Sequence, residues 1–194
     1  MATQQDNPPS TPLDFLRLAL SHARQSPPKP TNFRVGAVLV DPSTTPPTIL
    51  ATGYTLELPG NTHAEQCCLL KLAAQHSIPE ERVGSVLPST GADLYTTMEP
   101  CARRLSGNMS CVERILRIRI GEPEVGGQME DLGEGRPGIR KVFVGVWEPE
   151  TFVGQNEGRK MLRDAGIEVC YVEGLEEEIL GVAKAGHERK VESK

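Results

Sequence analysis

His63 and Glu65, two positions apart in GNTHAEQ, and Cys101 and Cys111, with nine residues between them in PCARRLSGNMSC, are side chains able to hold a metal and move a proton. Imidazole and thiolate are ligands that zinc favours; a structural zinc usually takes four protein ligands, a catalytic zinc three plus a water. His63, Cys101 and Cys111 make three. Zinc held in this way brings water toward a pKa of about 7. A carboxylate two residues from a ligand can reach that water without binding the metal, which suits Glu65 to shuttle its proton. Each half of the pattern is weak alone, since a lone His-x-Glu is usually surface decoration and Glu65 also suits the first turn of a helix. Cys67, one helical turn after His63, is a rival ligand, but Leu69 and Leu70 beside it favour burial as a small apolar side chain. Cys170, inside an apolar strand, reads as core. His22, His76 and His187 have no partners at ligand spacing and read as surface or structural.

The elements that must position these groups alternate. Thr11 followed by Pro12 marks a helix start, and the helix runs to about Arg24, where SPPKP ends it. VGAVLVD (35 to 41) and TILATGY (48 to 54) are apolar and β-branched, and predict a hairpin across PSTTPP. THAEQCCLLKLAAQH predicts a helix that Thr62 caps, ADLYTTM (92 to 98) a third strand, and CVERILR (111 to 117) a second helix, capped by Asn108 or Ser110. KVFVGVW, GRKMLRDAG, IEVCYV and LEEEILGVAKAG continue as strand, helix, strand, helix. The pattern implies a layered α/β sheet of five strands with helices on both faces. His63 then opens a helix, Cys101 follows a strand, and Cys111 opens the next helix.

Composition narrows the function classes. The 194 residues suit one domain, expected over 11 to 194 after a flexible arm at 1 to 10, with a Gly-rich acidic surface insert at 121 to 138. A net charge of -5 argues against a protein that coats nucleic acid. No apolar run approaches the roughly 18 residues of a membrane span, and the N-terminus lacks the basic and apolar regions of a secretory signal. Five cysteines, an odd number, imply reduced thiols and not a disulfide framework. A cytoplasmic location, extending to the nucleus, is expected.

His-x-Glu followed by Pro-Cys, in that order and at element ends, matches the signature of zinc deaminases, although those usually space their cysteines as Cys-x-x-Cys. From Asn32 to Val172 the chain resembles the cytidine deaminase superfamily, and more narrowly the pyrimidine deaminases of riboflavin biosynthesis, in their stand-alone fungal form. The likeness rests on TNFRVGAVLVD, GNTHAE, LYTTMEPC and GVWEPETFVGQNEGRKMLRDAGIEV. The bacterial members of that branch also lengthen the gap between the cysteines, and they are fused to a reductase for which this chain has no room.

The resemblance implies a three-layer α/β/α cytidine deaminase-like fold around a central mixed five-stranded sheet. It implies Zn2+ on His63, Cys101 and Cys111, Glu65 as the catalytic carboxylate, and Asn32, Ala64, Arg103 and Arg104 as substrate-binding residues. Asn32 falls where that family contacts the pyrimidine. Arg103 matches a phosphate-contacting histidine of the bacterial form, and arginine grips phosphate oxygens with fixed geometry. A basic residue further along the bacterial loop is replaced here by Ser106 or Gly107. The implied substrate is a small phosphorylated pyrimidine, 2,5-diamino-6-ribitylamino-4(3H)-pyrimidinone 5'-phosphate, deaminated at C2, and the implied assembly is a homodimer. Two other readings stay open: a cytidine or nucleobase deaminase, which needs no phosphate clamp, and a non-catalytic zinc-stabilised binding module, which has no use for Glu65. An RNA-editing enzyme would need a basic, aromatic-rich stripe, which the sequence lacks.

Overall fold

The computed structural model describes residues 8–104, 106–120, 138–147 and 157–187. The first seven residues of the arm, the expected insert at 121 to 138 except Gly138, and residues 148–156 lie outside the described residues. In chain order the elements are α1 (Pro12–Ala23), β1 (Gly36–Asp41), β2 (Thr48–Tyr54), α2 (Ala64–His76), a 3-10 segment (Glu80–Val86), β3 (Ala92–Met98), α3 (Cys111–Ile120), β4 (Ile139–Val146), α4 (Gly158–Asp164), β5 (Glu168–Tyr171) and α5 (Glu176–Lys184). Among the described residues no helix is long and apolar enough to cross a membrane.

Local chemistry sets the helix starts. Thr11 caps α1: its hydroxyl accepts from Asp14 N at 3.2 Å and its N–H donates to Asp14 Oδ2 at 3.1 Å. Ser110 caps α3 in the same way, through Glu113 N at 3.2 Å and Glu113 Oε2 at 2.8 Å. For α2 the expected cap is corrected. The helix begins at Ala64 with His63 in the cap position, because the Thr62 hydroxyl turns away to donate to Leu58 O at 3.1 Å.

The strands form one sheet in the order β2-β1-β3-β4-β5. β1 pairs antiparallel with β2 and β3, whereas β3 with β4 and β4 with β5 are parallel, so the sheet is mixed, as expected. Side chains alternate along β1. Ala37 and Leu39 face the layer of α2, α3 and α4, with Leu69, Leu72, Ile115 and Leu162; Val38 and Val40 face α1 and α5, with Leu16, Leu20 and Ile179. β3, the middle strand, is buried along its whole length. Cys170 departs from the core expectation: it lies half-buried on β5, at the sheet edge, with its thiol 3.2 Å from Glu168 Oε1.

One close approach seats α2 on the sheet. A Cβ placed on Gly53 of β2 would lie 2.3 Å from Ala64 O and 2.9 Å from both Cys67 Cβ and Cys68 N. Only a glycine lets the strand touch the first turn of the helix there. Gly53→Ala is therefore expected to lower stability by about 2 kcal/mol, in the range of overpacked cores. Urea unfolding checks this, with metal content of the folded protein showing whether the start of α2 has shifted.

Candidate active site

Two helix starts converge at the C-terminal end of β3. α2 brings His63 and Glu65, α3 opens with Cys111, and Cys101 follows three residues after the end of β3. The Cys101 thiol accepts from Cys111 N at 3.5 Å, and Cys101 O accepts from Val112 N at 3.2 Å, so the start of α3 is tied to the strand end. His63 Nδ1 lies 3.5 Å from Cys101 Sγ and 3.4 Å from Cys111 Sγ. One donor atom from each of the three residues falls within 4.8 Å of the others, the one such cluster among the described residues. Tetrahedral zinc, with bonds of about 2.0 Å to nitrogen and 2.3 Å to sulfur, separates an N and an S ligand by about 3.6 Å. Both nitrogen–sulfur separations therefore match that ion. Cys67 is not part of the cluster; it is buried in the core.

Glu65 is 3% exposed, and its oxygens are held in different ways. Oε1 accepts from Thr96 Oγ1 at 3.1 Å, while Oε2 faces the cluster, 3.3 Å from Cys111 Sγ. Burial pushes its carboxyl above the usual carboxylate range, opposed by the charge of His63. The two cysteines share one proton. Cys101, which accepts from the Cys111 thiol and lies beside His63, is held down to about 4; Cys111, the donor of that bond and fully buried, is pushed up. A thiolate next to imidazole at a helix start is a competent metal ligand.

His63, Glu65 and Cys101 line a cavity of about 500 Å³, within the usual range for small-molecule sites, with Cys111 buried beneath them. Asn32, Arg103 and Arg104 line it, but their side chains are engaged differently. Asn32 donates through Nδ2 to Asn61 Oδ1 at 2.7 Å and accepts from Thr31 Oγ1 at 2.8 Å. Arg104 donates to Gln66 Oε1 at 3.0 Å and to the Asn61 carbonyl. Arg103 is exposed, with no hydrogen bond or ion pair to the described residues. Ala64 is not a lining residue; its side chain is buried with the core under α2.

Other residues at the site escaped the sequence reading. Thr96 was indistinguishable from any strand threonine, and its role comes from facing Glu65 where α2 packs on β3. Glu99, with a side chain 1% exposed, accepts from Arg159 Nε at 2.8 Å, and Arg159 lies 4.3 Å above the Trp147 ring. Its place beside Pro100-Cys101 was the available signal. His187, read as surface or structural, lines the cavity; it stacks on Phe33 with ring centres 4.8 Å apart and lies 3.0 Å from Asn32 O through Nε2.

Comparison with known proteins gives the arrangement its context. The family described as cytidine and deoxycytidylate deaminase zinc-binding region matches residues 9–126. A diaminohydroxyphosphoribosylamino-pyrimidine deaminase of Schizosaccharomyces pombe is 32% identical over 177 residues, which cover 91% of this chain but 36% of that longer protein. The crystal structure of Aspergillus oryzae Rib2 deaminase, a C-terminal deletion mutant in complex with DARIPP, is 50% identical, with a TM-score of 0.76 and coverage of 92% of this chain and 93% of that one. A deaminase/reductase from Thermotoga maritima, 24% identical over 88% of this chain and 38% of that one, shares the fold with a TM-score of 0.60.

The geometry separates the rival cysteines. Cys111→Ala is expected to abolish stoichiometric zinc, whereas Cys67→Ala keeps close to one zinc per chain; metal analysis of the purified variants checks both.

Proposed function

This chain belongs to the cytidine and deoxycytidylate deaminase zinc-binding family, and from that premise we propose that it is a pyrimidine deaminase of riboflavin biosynthesis. The substrate is 2,5-diamino-6-ribitylamino-4(3H)-pyrimidinone 5'-phosphate, and the products are 5-amino-6-ribitylamino-2,4(1H,3H)-pyrimidinedione 5'-phosphate and ammonia. The observation that carries the reading is the buried Glu65 carboxylate, which lines the cavity 3.3 Å from Cys111 Sγ and beside the three-donor cluster. The DARIPP complex of the Aspergillus oryzae relative supports a small phosphorylated pyrimidine as ligand.

In this mechanism His63, Cys101 and Cys111 hold the zinc, which supplies Lewis-acid activation of water when bound. Glu65 moves the protons. Its Oε2, turned to the ligand cluster, takes a proton from the water that adds to C2 and passes it to the neighbouring ring nitrogen. It then takes the proton of the hydroxyl now on C2 and delivers it to the departing amino group, so that the C2–N bond breaks, the C2 carbonyl forms and ammonia leaves. Thr96 holds Oε1 and leaves Oε2 free to swing between water and ring. Asn32, at the cavity wall, orients the pyrimidine, and Ala64 contributes backbone at the start of α2. Arg103 reaches the distal phosphate.

Two readings attach to the same proposal. The enzyme works in the cytoplasm, supported by five unpaired cysteines. It assembles as a homodimer, supported by the family resemblance and checked by mass in solution.

Glu65→Gln is expected to retain zinc and fold while kcat falls by about 10²–10⁴, the usual contribution of general acid–base catalysis. Ammonia release measured beside metal content checks this, and activity close to wild type would reject the mechanism. Arg103→Ala is expected to raise KM for the phosphorylated substrate about tenfold, the scale of one lost charge-assisted hydrogen bond, without raising it for the dephosphorylated compound. Equal turnover of both compounds by the unmutated enzyme would favour a nucleoside or nucleobase deaminase instead.

A further inference from the structure

The two arginines of the cysteine loop do different work, and the structure distinguishes them by what each touches. Arg104 lies three residues after Cys101 and turns inward. Its Nη1 donates to Gln66 Oε1 at 3.0 Å and its Nη2 to the backbone carbonyl of Asn61, while its Nε is buried without a hydrogen bond. The two acceptors flank His63 in the chain. Asn61 stands two residues before it, and Gln66 is the third residue of α2, with the same Oε1 3.5 Å from His63 N. Asn61 is itself anchored, because its side-chain oxygen accepts from Asn32 Nδ2 at 2.7 Å.

We infer that Arg104 is a positioning residue that locks the Cys101 loop onto the segment carrying His63 and thereby holds the metal ligands in register; this rests on the zinc reading above. A planar guanidinium serves two acceptors at once with a fixed angle between its donors, which a lysine ammonium cannot reproduce. The constraint is useful here because Cys101 and His63 belong to segments 38 residues apart, and Cys101 follows the strand end without a helix of its own. Groups that brace metal ligands from outside commonly change metal affinity by 10- to 100-fold when removed. Arg103, exposed and without such bonds, is left to face the substrate.

The test is the rate at which the zinc-loaded full chain loses its metal to an excess of a chromogenic chelator. Arg104→Ala is expected to speed release at least tenfold, Arg104→Lys by less, and Arg103→Ala by under twofold. The Co2+-substituted Arg104→Ala protein is also expected to show altered ligand-field bands, a signature that a general loss of stability would not produce. Should Arg104→Ala fail to fold, Arg104→Lys, which keeps the charge but lacks the planar, two-pronged donor geometry, decides the matter by the same readouts. Release and spectra identical to wild type in the folded Arg104 variants, with KM raised instead, would overturn the inference and make Arg104 a substrate ligand. A wild-type chain that takes up no zinc would overturn the metal reading itself.

Discussion

Three donor atoms from positions 63, 101 and 111 meet within 4.8 Å, although the chain between the first two includes a helix, a 3-10 segment and a strand. That meeting depends on where two helices begin. His63 stands at the threshold of α2 and Cys111 at the first turn of α3, where the Cys111 N–H points at the Cys101 sulfur and favours its thiolate. The sheet supplies the common base. β3 lies between β1 and β4, and the chain leaves its end at the point where both helix starts converge.

Burial gives this convergence its chemistry. A carboxyl group removed from water tends to keep its proton, and Glu65 is removed almost completely, yet Thr96 and the cluster leave each oxygen a partner. The shared proton of the cysteine pair follows the same logic. One thiolate beside His63 is tolerated in the buried site, whereas two without a cation would repel. A positively charged metal ion resolves that conflict, which is a physical reason for the donor set beyond its spacing.

The cavity above is assembled from segments that share little in sequence. Asn32 and Phe33 come from the approach to β1, Arg103 and Arg104 from the cysteine loop, and His187 from the turn after α5. Hydrogen bonds sew these pieces together through Asn61, so the wall and the metal floor belong to one network. A glycine at position 53 allows α2 to sit low on β2 and brings the floor within reach of that wall.

Much of this framework was legible in one dimension. Short apolar, β-branched runs marked the strands, Thr11-Pro12 and the pair Asn108 and Ser110 marked helix starts, and His63, Glu65, Cys101 and Cys111 stood out because few other functions need those types at element ends. The separation of Cys67 from the cluster was also readable, since its leucine neighbours require an inward helix face. Other features belonged to the tertiary structure. Thr62 gave up its capping role to a loop carbonyl, and Cys170 lost its place in the core because β5 is an edge strand, a matter of sheet order that periodicity does not encode. The different engagements of Arg103 and Arg104, adjacent and chemically alike, and the arrival of His187 at the cavity, depend on contacts between distant segments. Local spacing determines which side chains can do chemistry; the packing of helices and loops onto the sheet decides which of them face one another.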